Sequence, residues 1–262
     1  IGNTLISILA AYSIFIQSFS IYCVANFFLG VGMAFTHQYR FAAAESVNKD
    51  KVPRAISIIL LGGIVSAFIG PSVANYSKEL FSNHMYVGSY LSLAALTFLP
   101  TIFFLFYKNT SKIELSFKYS GRSYLELVSQ PRFLQAVISS AFGYAIMTFL
   151  MTGTPLSMHV IEGISLNKTS IVIQIHVACM FLPSLIAGNL VKRIGHSKMM
   201  YVGVGLYCLT VIISLFDQSF LNYMLALIFL GFGWNFLFIS GTSLLVLTYN
   251  EEEKYRAQGF ND

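Results

Sequence analysis

Charge is what this chain has least of. Asp, Glu, Lys and Arg make up 10% of its 262 residues, and 56% are hydrophobic, whereas an ordinary soluble domain carries about 25% charged residues. With a mean hydropathy of +0.69, a water-soluble globule is excluded. Cysteine is equally sparse. Cys23, Cys179 and Cys208 each sit in an apolar run, and an odd count without polar surroundings argues against a disulfide framework. Carboxylates are missing from the apolar stretches: all eleven, among them Glu45, Asp50, Glu79, Glu114, Glu126, Glu162 and Asp217, fall between the runs or at their ends. No His-Glu-x-x-His motif, Gly-x-Ser-x-Gly elbow or phosphate-binding glycine loop appears. Neither a metal, a cofactor nor a nucleic-acid partner is expected.

Long apolar runs are what the chain does have. A spanning helix needs about 20 mostly apolar residues, and eight candidates emerge: roughly 1–16, 19–43, 53–75, 86–107, 133–156, 168–191, 199–216 and 220–249. Merging the first two would make an apolar run about twice what a bilayer core accommodates. The 16 Lys and Arg test the count. Arg40, Lys49, Lys51 and Arg54 follow the second span, five more lie between the fourth and fifth, Lys192, Arg193 and Lys198 follow the sixth, and Lys254 and Arg256 follow the eighth. Only Lys78 and Lys168 fall in the alternate loops. That bias predicts that even-numbered spans end in the cytoplasm. The fold class expected is all-α and polytopic. The chain opens apolar, without Met, and reads as a fragment of something longer.

The chain also repeats itself. "FLGVG" at 28–32 returns as "FLGFG" at 229–233, and at an offset of 201 residues fourteen of 35 aligned pairs are identical, including the "QSF" turn at 17–19 and 218–220. With one inserted residue, "NKDKVPRA" (48–55) then meets "NEEEKYRA" (250–257). An offset of six spans is even, so both copies keep one orientation: a parallel repeat about an axis along the membrane normal.

In these features the chain resembles the major facilitator superfamily. The resemblance implies two parallel-repeat helical bundles, with the eight transmembrane helices present standing for helices 3 to 10 of a probable twelve. It implies an N-terminal bundle at 1–107, a cytoplasmic central linker at 108–132 and a C-terminal bundle at 133–262. Within the linker, Ser123 and Glu126 have capping-box spacing, predicting a short helix ending before Pro131. "GNLVKRIGHSK" (188–198) is similar to the family's glycine-basic loop between helices 8 and 9, matching at Gly188, Leu190, Arg193, Gly195 and Lys198, but Lys192 stands where the family has Asp. "GGIVSAFIGPS" (62–72) is partly similar to the helix 5 motif of the antiporter branch, at Gly70 and Pro71.

The function implied is secondary active transport of a small organic solute by alternating access, with a drug or metabolite efflux antiporter as an alternative within the fold. The family's cavity helices suggest Asn26, Thr36, His37, Tyr144, Thr148, Gln174, His176, Trp234 and Asn235 as cavity candidates. Trp234 and Asn235 replace Met33 and Ala34 of the first copy, which marks them as the leading pair. Arg40, Glu45, Arg54, Gly188, Arg193, Gly195, Lys198, Glu252 and Arg256 are the cytoplasmic gate candidates, with Glu251–Glu253 expected to meet Arg193 or Lys198. Aromatic and neutral polar groups suit an uncharged or weakly anionic solute. With no carboxylate mid-span, a proton or other coupling ion would fall to histidine within this piece. The expected setting is the lipid bilayer of a plasma (bacterial inner) membrane, with the protein a monomer. From another class, "GTSL" (241–244) superficially resembles part of an intramembrane protease motif with His176 as base, but Ser243 and His176 are expected to lie too far apart.

Overall fold

The computed structural model describes residues 1–104 and 121–262, and among these every regular element is a helix. In hydrocarbon a backbone N–H or C=O has no water to bond, so an apolar chain satisfies these groups within helices. Six helical stretches are long and apolar enough to cross a membrane: Phe19–Glu45, Lys49–Ser77, Pro131–Ile161, Leu166–Ile194, His196–Ser214 and Phe220–Val246. Two shorter apolar helices occupy the other predicted spans, α1 (Gly2–Phe15) and α5 (Val87–Phe104).

Breaks within the spans have local causes. The second predicted span is α2 (Phe19–His37) and a separate α3 (Tyr39–Glu45), parted by a turn at Gln38. Then α4 runs Val52–Ser77 with Pro71 inside it. The predicted capping box is present: Ser123 Oγ accepts from the Glu126 amide, Glu126 accepts from the Ser123 amide, and α6 (Tyr124–Val128) follows. Next, α7 (Pro131–Pro155) passes into a wider π-helical turn at Leu156–Ile161. The sixth span divides into α8 (Leu166–Phe181) and α9 (Ser184–Ile194) around Pro183, whose ring supplies no N–H to a continuing helix. The chain finishes with α10 (His196–Ser214), α11 (Phe220–Val246) and α12 (Lys254–Asn261).

Two compact units divide the described residues. One holds Ile1–Gln38 and the residues from Ile69 to 104, the other Tyr39–Phe68 and the residues from 121 to Asp262. In the first, α1 packs on α2 and α5. Its polar ties include the Tyr22 and Tyr90 hydroxyls, 2.9 Å apart, and Asn26, which donates to the Tyr22 carbonyl and accepts from Tyr90. In the second, α11 is the axis, packed by α7, α8 and α10 and buried at every position from Gly233 to Leu245. Small residues allow that closeness. A Cβ on Gly203 would stand 3.0 Å from the Gly233 carbonyl, and one on Gly143 would stand 3.1 Å from Leu237.

Candidate functional site

Trp234 and Phe238 are four residues apart on α11 and therefore share a face. Their rings stack, with centroids 4.7 Å apart and planes 15° off parallel. Phe181 at the end of α8 meets Trp234 edge-on at 5.7 Å, and Tyr144 of α7 meets Trp234 at 6.2 Å and Phe238 at 6.3 Å. From α3, the buried Arg40 guanidinium lies 4.6 Å over Phe238 and 4.7 Å over Phe41, and pairs with Asp262. Edge-to-face, offset and cation-over-ring arrangements are each favourable electrostatically. Tyr144 and Phe181 are half-buried and form the accessible face of the cluster, with Trp234 and Phe238 behind them. Trp234 Nε1 and Arg40 Nε are buried donors without a hydrogen-bond partner among the described residues. The accessible rings of Tyr144 and Phe181 can stack a flat conjugated ring.

The other cavity candidates scatter. Asn235 is buried and donates to the Met180 carbonyl and Ser184 Oγ, each at 2.7 Å, tying α8 to α9 across the Pro183 break. His176 is buried, with Nδ1 2.8 Å from the Leu227 carbonyl. Of the expected α7 stripe, Ser140 is buried, Tyr144 half-buried and Thr148 exposed, so only Tyr144 reaches the aromatic cluster. Gln174 is half-buried. Asn26, Thr36 and His37 belong to the first unit, where Thr36 bonds back to the Gly32 carbonyl. Sequence reasoning missed Phe181 and Phe238. The four-residue spacing to Trp234 is the signal that could have found Phe238, whereas nothing local marks Phe181.

Two gate candidates, Glu45 and Arg256, join a charged network in the second unit. Glu253 is 2% exposed and holds Arg122 through two side-chain contacts at 2.7 and 2.6 Å, while also accepting from the Arg122 and Asn250 amides. The Arg122 hydrogen bonds, working against burial, hold the Glu253 carboxyl down at about 2. Glu251 pairs with Lys254, which also reaches Glu45 at 3.2 Å. Glu251 and Glu253 thus meet Lys254 and Arg122, not the expected Arg193 or Lys198. Glu45 further accepts from Gln258, and Arg256 donates to the Arg122 carbonyl. Burial pushes the Tyr249 hydroxyl, which accepts from Gln258, up to about 12. Lys192, standing where the family's Asp is usual, meets Asp50 at 3.4 Å.

Within the glycine-basic loop each glycine has its reason. Gly188 brings α9 onto α4, where a Cβ would come within 2.9 Å of Arg54 Cα and the Pro53 carbonyl. Gly195 turns between α9 and α10 at φ +85°, the left-handed region that favours glycine. Arg54, Arg193, Lys198 and Glu252 are exposed.

The hydrolase alternative fails on distance. Ser243 Oγ donates to the Ile239 carbonyl at 2.6 Å, while His176 bonds at Leu227, sixteen residues away along α11. At about 1.5 Å per residue that is about 24 Å, far beyond hydrogen-bond reach.

Comparison with known proteins agrees with the all-helical architecture. A riboflavin transporter of Brucella anthropi, RfnT, is 36% identical over 257 residues, covering 97% of this chain and 64% of that protein. Two uncharacterized MFS-type transporters of Bacillus subtilis, YddS and YdeG, are 26% and 28% identical over 94% of this chain and 60% and 61% of their own lengths. The chain thus spans somewhat less than two thirds of each of these relatives. These are membrane transporters rather than enzymes, and the apolar helices described above make this an integral membrane protein. The sequence model of the Major Facilitator Superfamily matches residues 1–262, and the chain belongs to that superfamily.

Proposed function

We propose that the protein to which this chain belongs carries an uncharged, planar aromatic solute across a bacterial plasma membrane by alternating access, with riboflavin the first compound to try. One observation carries the reading: the stacked Trp234–Phe238 pair fronted by the accessible rings of Tyr144 and Phe181. Tyr144 and Phe181 would stack on the solute's ring system. A flavin has a flat conjugated ring with carbonyl and ring-nitrogen acceptors at its edge, and a 36% identical relative is named a riboflavin transporter. Spans without mid-membrane carboxylates also fit a neutral solute better than a cation.

In this reading residues 1–107 and 133–262 form two bundles that rock about the site, joined by a cytoplasmic linker at 108–132. The charged end of the second unit, with Arg40, Glu45 and Arg122–Glu253, is a cytoplasmic gate that holds one state closed. His176, whose Nε2 is buried without a partner, is the proton-coupling candidate, and the transporter works as a monomer.

The test is uptake of labelled riboflavin by cells that neither make nor import it, expressing the full-length protein. Uptake is expected, and Phe181→Ala is expected to reduce it by about two- to tenfold, the order of losing one stacked contact. Absence of uptake, or strong selective competition by organic cations, would sink the reading. Tags at residues 51 and 195 check the orientation: both should be reachable only from the cytoplasm.

A further inference from the structure

A cavity opens in the first unit. It measures about 620 Å³, within the range of pockets that hold drug-sized molecules. It lies where the α1–α2 turn faces the start of α5, and its lining includes Gln17, Ser18, Tyr22, Tyr86, Ser89 and Tyr90, with no charged side chain. The positive-inside pattern puts both contributing turns, 16–18 and 78–86, on the side opposite the cytoplasm.

Three features distinguish this corner. Gln17 and Tyr86 are the non-glycine residues of positive φ among those described, at +55° and +71°, and both line the cavity. Such conformations cost free energy and gather at ligand clamps. Ser18 precedes α2 without capping it through its side chain, although its counterpart in the second copy, Ser219, accepts from the Asn222 amide. The second copy's corner is closed by Asn222, which donates to the Ile213 and Asp217 carbonyls at 2.8 and 2.7 Å. Ile21 and Ile16 stand at the places of Asn222 and Asp217 in the first copy and make no such ties. The second copy's corner is thus tied by Asn222, and the first copy's is lined with hydroxyls and tyrosine rings.

We infer that this cavity is an outer binding site for an uncharged aromatic solute bearing hydroxyl groups. The tyrosine rings give a stacking surface, Ser18 and Gln17 give hydrogen bonds to hydroxyls, and the absence of charge excludes strongly ionic ligands. The choice of solute rests on the transport reading above, but occupancy of the cavity does not.

The experiment uses the full-length protein with its native cysteines replaced, and Ser18→Cys or, on the facing turn, Tyr86→Cys introduced separately. A membrane-impermeant thiol reagent added to intact cells should label both, and riboflavin should slow that labelling at least about fivefold at concentrations that saturate uptake. Ser89→Trp, which fills the cavity, should raise the apparent KM for uptake about tenfold while the maximal rate is kept. Lack of labelling from outside, or labelling that riboflavin leaves unchanged at both positions, overturns the proposal even where transport is intact. Protection without transport upholds the cavity and removes the transport reading, and absence of both removes each.

Discussion

The two copies of the repeat descend into different surroundings. In the second copy, α11 is enclosed on several sides, and its two glycines at 231 and 233 lie against the His176 carbonyl, Cys179 and Tyr207. In the first, among the described residues, α2 buries Ala25 alone, Gly30 meets no neighbour within 4 Å, and Gly32 meets the Asn3 side chain. Identical pentapeptide glycines therefore do unequal work. Sequence identity between repeats records common origin, while burial decides which positions are now constrained.

The largest expected break in that comparison is Gly231→Ala against Gly30→Ala. A Cβ at 231 would stand 2.8 Å from the His176 carbonyl, so the helix must shift, at a cost of about 1–3 kcal/mol. At 30 nothing in this chain lies within 4 Å, so within this chain the same change meets no clash. Thermal unfolding of the full-length protein in detergent reads both, and equal effects would mean that the two copies are packed alike.

Next come the loops after each copy. Glu253→Gln should cost about 2 kcal/mol, because it leaves the Arg122 guanidinium without its buried partner. The pH dependence has a definite sign. The Glu253 carboxyl lies near 2 when folded and near 4.5 otherwise, so its stabilisation is complete above about pH 4.5 and is lost as pH falls toward 2. Unfolding midpoints between those pH values should converge for wild type and Glu253→Gln. Asn222→Ala, which unties the second copy's corner, should cost about 1 kcal/mol, whereas Ile21→Ala at the matching position breaks no hydrogen bond. Smallest is Asp50→Asn, since Asp50 and Lys192 are each more than half exposed. A loss under about 0.5 kcal/mol is expected, and a larger one would show that the first copy's loop is tied down as firmly as Glu253 ties the second.

Much of this was legible in the sequence because hydrophobic run length reports directly on helices that bury backbone polarity in lipid. Helices at the eight predicted positions, the Ser123 to Glu126 cap, the closely packed Gly188 and the turn at Gly195 each follow from a local pattern. The Arg122–Glu253 pair joins residues 131 positions apart, and no local spacing announces it. Likewise Asn235 looked like a cavity residue from its contrast with Ala34, yet its side chain bridges α8 and α9 where Pro183 interrupts them. Its polarity answers a need created on a neighbouring helix, and that information lies only in the packing.

Trp234 is the single tryptophan of the sequence, and it sits in the aromatic stack. This chain therefore carries one indole emitter at one known address. Light absorbed there can leave as fluorescence or pass to an acceptor in contact, so a yellow chromophore resting on Tyr144 and Phe181 should darken that emission, while a colourless solute of the same shape should only change its hue. The stack thus doubles as an optical gauge of its own occupancy.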